Sequence, residues 1–349
     1  MIPQEEREVA ERQLKKIPDV IEKIEELMKY ETAGDPISGL LWTRKTREKI
    51  SDELAEIDIK VGATTVGNIL KKLNYSLKCN SKKVSNGGRK LTKEEEKMRD
   101  EQFKYIAKMR SEFIEKKLPV ISVDTKKKEL IGNFNNPGTR YKKESDLVND
   151  HDFNKYAIGK VFSYGLFDEL RYEGFVYVGQ SIWDQKEKGF GSHETPEFAA
   201  ESITRYWKDY GIKRYRNSNE ILILADAGGS NGYRSRMWKY KIYEQLATKY
   251  GMHVTVCHYP PGASKWNPVE HKLFSEISKN WKGTPLRTFE TVLKYMRTTK
   301  TKTGLTVKAR LVTKTYKTGK SVPKDIFQNI RIRKHEVFPD WNYTIYPGV

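Results

Sequence analysis

The chain has 349 residues, too many for one small domain and enough for two or three compact units with at least one sizeable core. Its 37% hydrophobic content, a mean hydropathy of −0.75 and the lack of any apolar run of about 18 residues exclude a membrane-spanning helix. A formal charge of +19 points to a polyanionic partner, nucleic acid first, and two cysteines (Cys79 and Cys257) are too few for a disulfide framework or a zinc cluster.

The first residues, MIPQEEREVAERQ, are acidic and polar, which predicts neither a signal nor a transit peptide and so a cytoplasmic protein. Residues 1–120 hold 26 Lys+Arg against 22 Asp+Glu, and residues 121–349 hold 39 against 24, so the basic excess lies mainly in the larger C-terminal part. A solvated basic surface is the bland account of that balance. Over residues 4–30, Val9, Leu14, Ile17, Ile21, Ile24 and Leu27 recur at helical spacing, and Pro18 divides the segment into two short helices. After the turn-like GDPISG of 34–39, Ile50, Leu54 and Ile57 mark a helix, and Val66, Ile69, Leu70 and Leu73 mark the next. The tight connection at Asp58–Gly62 makes the pair a candidate helix-turn-helix whose second helix would point Thr64, Thr65, Asn68, Lys71 and Lys72 outward, toward a major groove. Helical hairpins of this size also occur without any DNA role. The context favours DNA: from Ile59 to Lys93 there is no acidic residue and nine basic ones. Residues 80–92, NSKKVSNGGRKLT, read as a flexible linker, followed by a helix with Phe103, Ile106, Arg110 and Phe113 that leads to Pro119.

From Val120 the period becomes extended. VISVD, ELIGNF, VFSYGLFD and GFVYVGQ read as successive strands, then helices near 195–210, 233–250 and 268–281 alternate with strands ILILAD (221–226) and VTVCHY (254–259). This order implies a mixed sheet covered by helices on both faces. The last 49 residues are basic and show no strong periodicity.

Asp124 and Asp226 each end an apolar strand, and Glu270 opens a helix after a third, so three acids from three elements could converge where open α/β sheets place ligands. Hard oxygen donors without a His or Cys cluster favour Mg²⁺ or Mn²⁺, and a pair of such ions suits in-line displacement at phosphorus. Each acid also has a local explanation. Asp is a common turn former at strand ends, and Asn267-Pro268-Val269-Glu270 is built like a capping box. Lys126, Lys127 and Lys128 are either phosphate contacts or a solvated hairpin tip. Gly228, Gly229, Ser230 and Asn231 form either an anion cradle or a plain turn, without the continuation of a P-loop. Lys265 with Trp266 offers a charge and a stacking face for a distorted DNA end, or simple loop packing. His258 and His271 receive no role, and Asp152 reads as structural.

The blocks DAGGSNGYRSRMWK (226–239) and CHYPPGASKWNPVEHKLFSEISKNWKG (257–283) resemble the Rhodopirellula-type insertion-sequence transposases, distant relatives of the mariner-like group. Further matching blocks lie at 34–50, 148–153, 164–168, 195–203 and 340–347, so the resemblance covers nearly the whole chain from about residue 34. It implies an α/β, RNase H-like catalytic domain at 119–300, preceded by an all-α helix-turn-helix DNA-binding region at 1–79 and a linker with a connecting helix at 80–118. A basic extension at 301–349 follows. It also implies a catalytic and metal-binding triad of Asp124, Asp226 and Glu270 with two Mg²⁺ or Mn²⁺ ions. The expected activity is hydrolysis of phosphodiesters at transposon ends and strand transfer into target DNA, on DNA partners and as a dimer or larger assembly. Two rival expectations are a DNA-binding regulator without catalysis and an RNase H-type nuclease that does not join strands.

Overall fold

The computed structural model describes residues 19–34, 41–43, 46–73, 91–186 and 188–348. The expected helix upstream of Pro18, the GDPISG turn, Cys79 and most of the 80–92 linker lie outside these residues. The chain divides into two compact units, residues 1–82 and 83–349.

In the first unit, α1 spans Asp19–Glu31. A short antiparallel hairpin follows, β1 (Thr32–Gly34) with β2 (Leu41–Thr43). Helices α2 (Arg47–Glu56) and α3 (Ala63–Lys72) come next, and Thr46 caps α2 by accepting from the Lys49 amide at 3.2 Å. Val20 and Ile24 of α1, Ile50 and Leu54 of α2, and Val66 and Ile69 of α3 form one small core. The connection reverses at Asp58, in the left-handed region with φ 63°, and Ser51 donates to the Val61 carbonyl at 2.6 Å. Ile57, expected on the buried face, is 47% exposed because it terminates α2. Ile59, returning after the turn, packs on the core instead. On α3, Thr64, Asn68, Lys71 and Lys72 are exposed and Thr65 is half-buried.

In the second unit, α4 (Lys93–Glu115) opens with a complete capping box between Thr92 and Glu95. The sheet comprises β3 (Val120–Ile131), β4 (Gly159–Asp168), β5 (Glu173–Asp184), β6 (Gly189–Phe190), β7 (Glu220–Ala225), β8 (His253–His258), β9 (Thr306–Val312), β10 (Ile332–Lys334) and β11 (Asn342–Ile345). Its order is β10-β11-β8-β7-β3-β4-β5-β6, with β9 also on β5. The central strands therefore run third, second, first, fourth, fifth. The first three are antiparallel, and the last two are parallel to the first, which is the RNase H-like arrangement. Helices α5 (Pro196–Tyr206) and α6 (Arg236–Ile242) cover one face, on Ile121, Val123, Tyr164, Leu166, Ile223 and Val256. The other face carries α4 on one side. On the other lie α7 (Ser275–Trp281), entered through a π-helical turn at Val269–Phe274, and α8 (Phe289–Arg297). The result is the three-layer α/β/α domain expected.

Two departures from the sequence reading have physical causes. VISVD and the start of ELIGNF are one strand, because β4 pairs along the whole of β3 across an irregularity between Lys126 and Glu129. Lys126–Lys128 thus sit in a bulged strand and not at a hairpin tip. Residues 301–349 are part of the domain: β9 extends the sheet beyond β5, and β11 lies between β8 and β10 with all four residues buried. Strands of three to seven residues at a sheet margin are recruited by pairing with neighbours, so their own periodicity is too short to announce them. A buried amide pair fastens this margin to α4. Gln102 donates to the His258 carbonyl at 2.8 Å and to Asn342 at 2.9 Å, and Asn342 donates back to Gln102 at 2.7 Å.

Candidate active site

β3 and β7 are parallel neighbours with Val123 beside Ala225. The next residue of each chain is an aspartate, so Asp124 and Asp226 emerge at one level, on backbones about 4.8 Å apart. Asp124 follows the parity of Ser122 and points to the face covered by the Val269–Trp281 helical segment, whose first turn carries Glu270. All three acids are half-buried.

The local bonds show how the sequence holds them. The Thr125 amide donates to Asp124 Oδ1 at 2.7 Å. Asn267, fully buried, donates its Nδ2 to the Val123 carbonyl and to Asp226 Oδ1, both at 3.0 Å, and so ties the two strand ends to the helix entry. The capping-box alternative for Glu270 is not realised: the Asn267 amide donates to the Ser264 carbonyl at 2.9 Å, and where the helix opens as a π turn only Asn267 Oδ1 accepts, from the Val269 amide at 3.4 Å. The Glu270 charge acts instead on both Asp124 and Asp226. Burial first, then the charge of Asp226 and the hydrogen bond that a protonated Asp124 gives to Glu270, hold the Asp124 carboxyl well above the usual carboxylate range, against the opposing Thr125 amide. Burial likewise raises Asp226, with the Glu270 charge adding and the Asn267 hydrogen bond opposing.

Among the described residues, no three His, Cys, Asp or Glu side chains close into a ready metal-ligand cluster. The donor set nevertheless fits a hard divalent cation. Three oxygen donors from three elements meet with each raising the proton affinity of the first, and a cation would relieve that repulsion. Asp124, Asp226 and Glu270 are the residues that would hold it.

A cleft of about 340 Å³ opens over the aspartates, lined also by Thr125–Lys128, Glu194 and Gly228–Gly229. Lys126 is buried, with its ammonium 2.8 Å from Glu129 and 4.6 Å from the ring centre of Trp281, whereas Lys127 and Lys128 are exposed. Lys128 pairs with Glu194 at 3.3 Å. Asn231 is buried and donates to the Asp226 carbonyl at 3.3 Å, and its Oδ1 has no partner among the described residues. The glycine turn is a 3₁₀ turn at Gly229–Asn231, with Gly229 at φ 72°, and α6 starts only at Arg236 behind its own Ser235 cap. The turn is therefore not a helix N-terminus. Lys265 is exposed with its ammonium 5.2 Å from the Trp266 ring centre, and Trp266 is 53% exposed while its edge meets Phe103. Asp152 and His271 are exposed.

Several residues of the site carried no sequence signal. Glu194 lies two residues before α5, and only its place in the cleft marks it. Tyr164 stands opposite Thr125 on β4, fully buried, with a hydroxyl that has no partner among the described residues and whose ionisation is opposed by burial and by the charges of Asp124, Glu194 and Asp226. His258 is wholly buried. Its Nδ1 donates to the Asp226 carbonyl at 2.9 Å and its Nε2 accepts from Tyr343 at 3.1 Å, which defines the neutral tautomer.

Burial pulls the His258 pKa down from 6.5 to about 4. The unfolded imidazole therefore takes up a proton before the folded one does. Stability contributed by the neutral ring is complete above pH 6.5 and is lost as pH falls toward 4, by about 3 kcal/mol. The raised aspartates work in the opposite direction, so the comparison needed is between variants. In denaturant unfolding, the wild type should lose stability relative to His258→Gln between pH 6.5 and 4, and parallel curves would refute the assignment.

Among solved structures, the chain is similar to the Mos1 transposase paired-end complex with left transposon end and to the Mos1 strand transfer complex. In each case identity is 12%, the TM-score is 0.43 and 72% of this chain is covered. The Mos1 mariner paired-end complex with Mn gives the same values. The match spans 65% of the first of these chains, less than two thirds of its length. Among curated proteins no sequence matches significantly. Residues 23–347 match the family described as Rhodopirellula transposase DDE domain, and since that is nearly all of the chain, the protein belongs to this family.

Proposed function

We propose that the protein is a DNA transposase that cuts phosphodiesters at the ends of its own mobile element and joins the freed 3′-OH to target DNA. The observation that carries the reading is the levelling of Asp124 and Asp226 on adjacent parallel strands beneath Glu270, at the floor of a cleft edged by Lys127 and Lys128. These three carboxylates would hold a pair of Mg²⁺ or Mn²⁺ ions. When bound, such ions activate the attacking oxygen and stabilise the leaving one. Asn267 keeps Asp226 in place, and Thr125 and Glu270 orient Asp124. Lys127 offers an exposed charge to the scissile strand, Lys265 and Trp266 a charge and a ring face to an unstacked end, and Thr64, Thr65, Asn68, Lys71 and Lys72 the exposed face of α3 to a duplex groove. Lys126, on the cleft wall but held by Glu129 and Trp281, and buried Asn231, held by the Asp226 carbonyl, brace the site. Pairing of two DNA ends calls for a dimer or larger assembly on DNA. Among the described residues no helix is long and apolar enough to cross a membrane.

The test uses duplexes carrying the element's end sequence. Asp226→Asn should abolish cutting in Mg²⁺ while end binding survives, and pre-cut ends mixed with target DNA should give joined product with the wild type. Cutting by Asp226→Asn would sink the reading, and cutting without any joining would leave a nuclease.

A further inference from the structure

We infer that a basic cleft at the opposite edge of the sheet binds the phosphate backbone of a second stretch of duplex DNA, away from the carboxylates. The cleft has a volume of about 950 Å³ and forms where four connections meet: Lys116–Leu118 ahead of β3, Leu170–Arg171 between β4 and β5, Arg214–Ser218 ahead of β7, and Gly304–Thr306 at the start of β9. β3 and β7 run from this edge toward Asp124 and Asp226. The six residue steps from Leu118 to Asp124 span roughly 20 Å of extended chain, so a ligand in the cleft does not reach the acids.

The charges here have no internal answer. Lys116, Lys117, Arg171 and Arg216 are exposed, and among the described residues none of them is paired with a carboxylate. Glu173, the one acid in the lining, is already bound by Arg214 and by Lys308, each at 2.6 Å. The wall is also preset. Buried Asp168 accepts from Tyr215 at 2.7 Å, from Tyr206 at 2.9 Å and from the Arg171 amide at 3.2 Å. The Arg171 guanidinium donates to the Arg214 carbonyl at 2.9 Å and lies 5.4 Å from the ring centre of Tyr215. Like charges held together without counter-ions are complementary to a polyanion. Their spread over three of these connections suits a row of phosphates, since duplex DNA presents one charge per about 1.7 Å of axis. The choice of DNA as that polyanion rests on the function proposed above.

The experiment measures the salt dependence of binding to a duplex of about 30 base pairs without end sequence, in EDTA. The triple variant Lys117→Gln, Arg171→Gln, Arg216→Gln should bind more weakly. Its slope of log K against log salt should be smaller by about 2 to 3, at about 0.9 per lost phosphate contact. The control Lys143→Gln, Lys317→Gln, Lys324→Gln, with the same change in net charge, should keep the wild-type slope. Equal changes in both triples would overturn the proposal, as would loss of binding to an acidic peptide with duplex binding intact. If the triple fails to fold, Arg216→Gln alone should lower the slope by about 0.9, and an unchanged slope would overturn the proposal too. The wild-type slope is read in EDTA, so it does not depend on whether the protein cuts DNA. A cleft that binds in a protein that never cuts would therefore uphold this inference while the active-site reading fell.

Discussion

Asp124→Asn should give a protein that no longer cuts DNA and yet melts at a higher temperature than the wild type when divalent cations are absent. The two effects share one cause. Burial, Asp226 and Glu270 all oppose ionisation of the Asp124 carboxyl, so its folded pKa lies above the unfolded value of 3.8. The folded state then binds more protons than the unfolded state, and the acid's contribution to stability falls as pH rises from the carboxylate range through neutrality. An amide of the same shape carries no such penalty. At pH 8 the variant should be more stable, with each kcal/mol worth about 2–4 °C for a domain of this size. Mg²⁺ or Mn²⁺ should raise the melting temperature of the wild type and do little for the variant. Cutting should fall by at least about a thousandfold, on the order of 4 kcal/mol of transition-state stabilisation. A variant that melts lower than the wild type at pH 8 without cations would contradict the crowding of acids described here.

Asn267→Ala should be the most damaging small substitution near the site. Its side-chain nitrogen serves the Val123 carbonyl and Asp226 Oδ1 from a fully buried position. Truncation leaves both acceptors without that donor, at about 1–3 kcal/mol for each buried group left unpaired. It also removes the one hydrogen bond that lowers the Asp226 pKa, so the carboxylate should protonate more readily and bind divalent cations more weakly. Asn267→Asp should be worse, because it sets a fourth acid against Asp226 inside the structure. Chemical unfolding and cation titration together check this. A variant as stable as the wild type would show that water or a neighbour replaces the amide.

Much of the fold could be read from residue order alone. The change of period at Val120, the apolar strands that end in Asp124 and Asp226, and the alternation of helices and strands after residue 195 all anticipated a helix-covered mixed sheet. Hydrophobic periodicity is a local property, and strands long enough to show it declare themselves. The ends were less legible. Nothing in residues 301–349 announced β9, β10 and β11, whose strand state comes from the neighbours they pair with.

The sequence by itself supplied the identity of the three acids, through ordered blocks that resemble one family, together with the basic excess that implies a polyanion. It left open whether Asp124 and Asp226 were turn formers and whether Glu270 was a helix cap. Tertiary structure added what surrounds them: parallel register puts the aspartates side by side, and burial turns proximity into mutual repulsion. Asn267, which looked like a cap, proved to be the clasp between two strands, while Lys126, which looked like a surface charge, lay over Trp281. Residues far apart in the chain meet only after folding, and a carboxylate's proton affinity depends on what it meets. Spacing along the chain cannot carry either quantity.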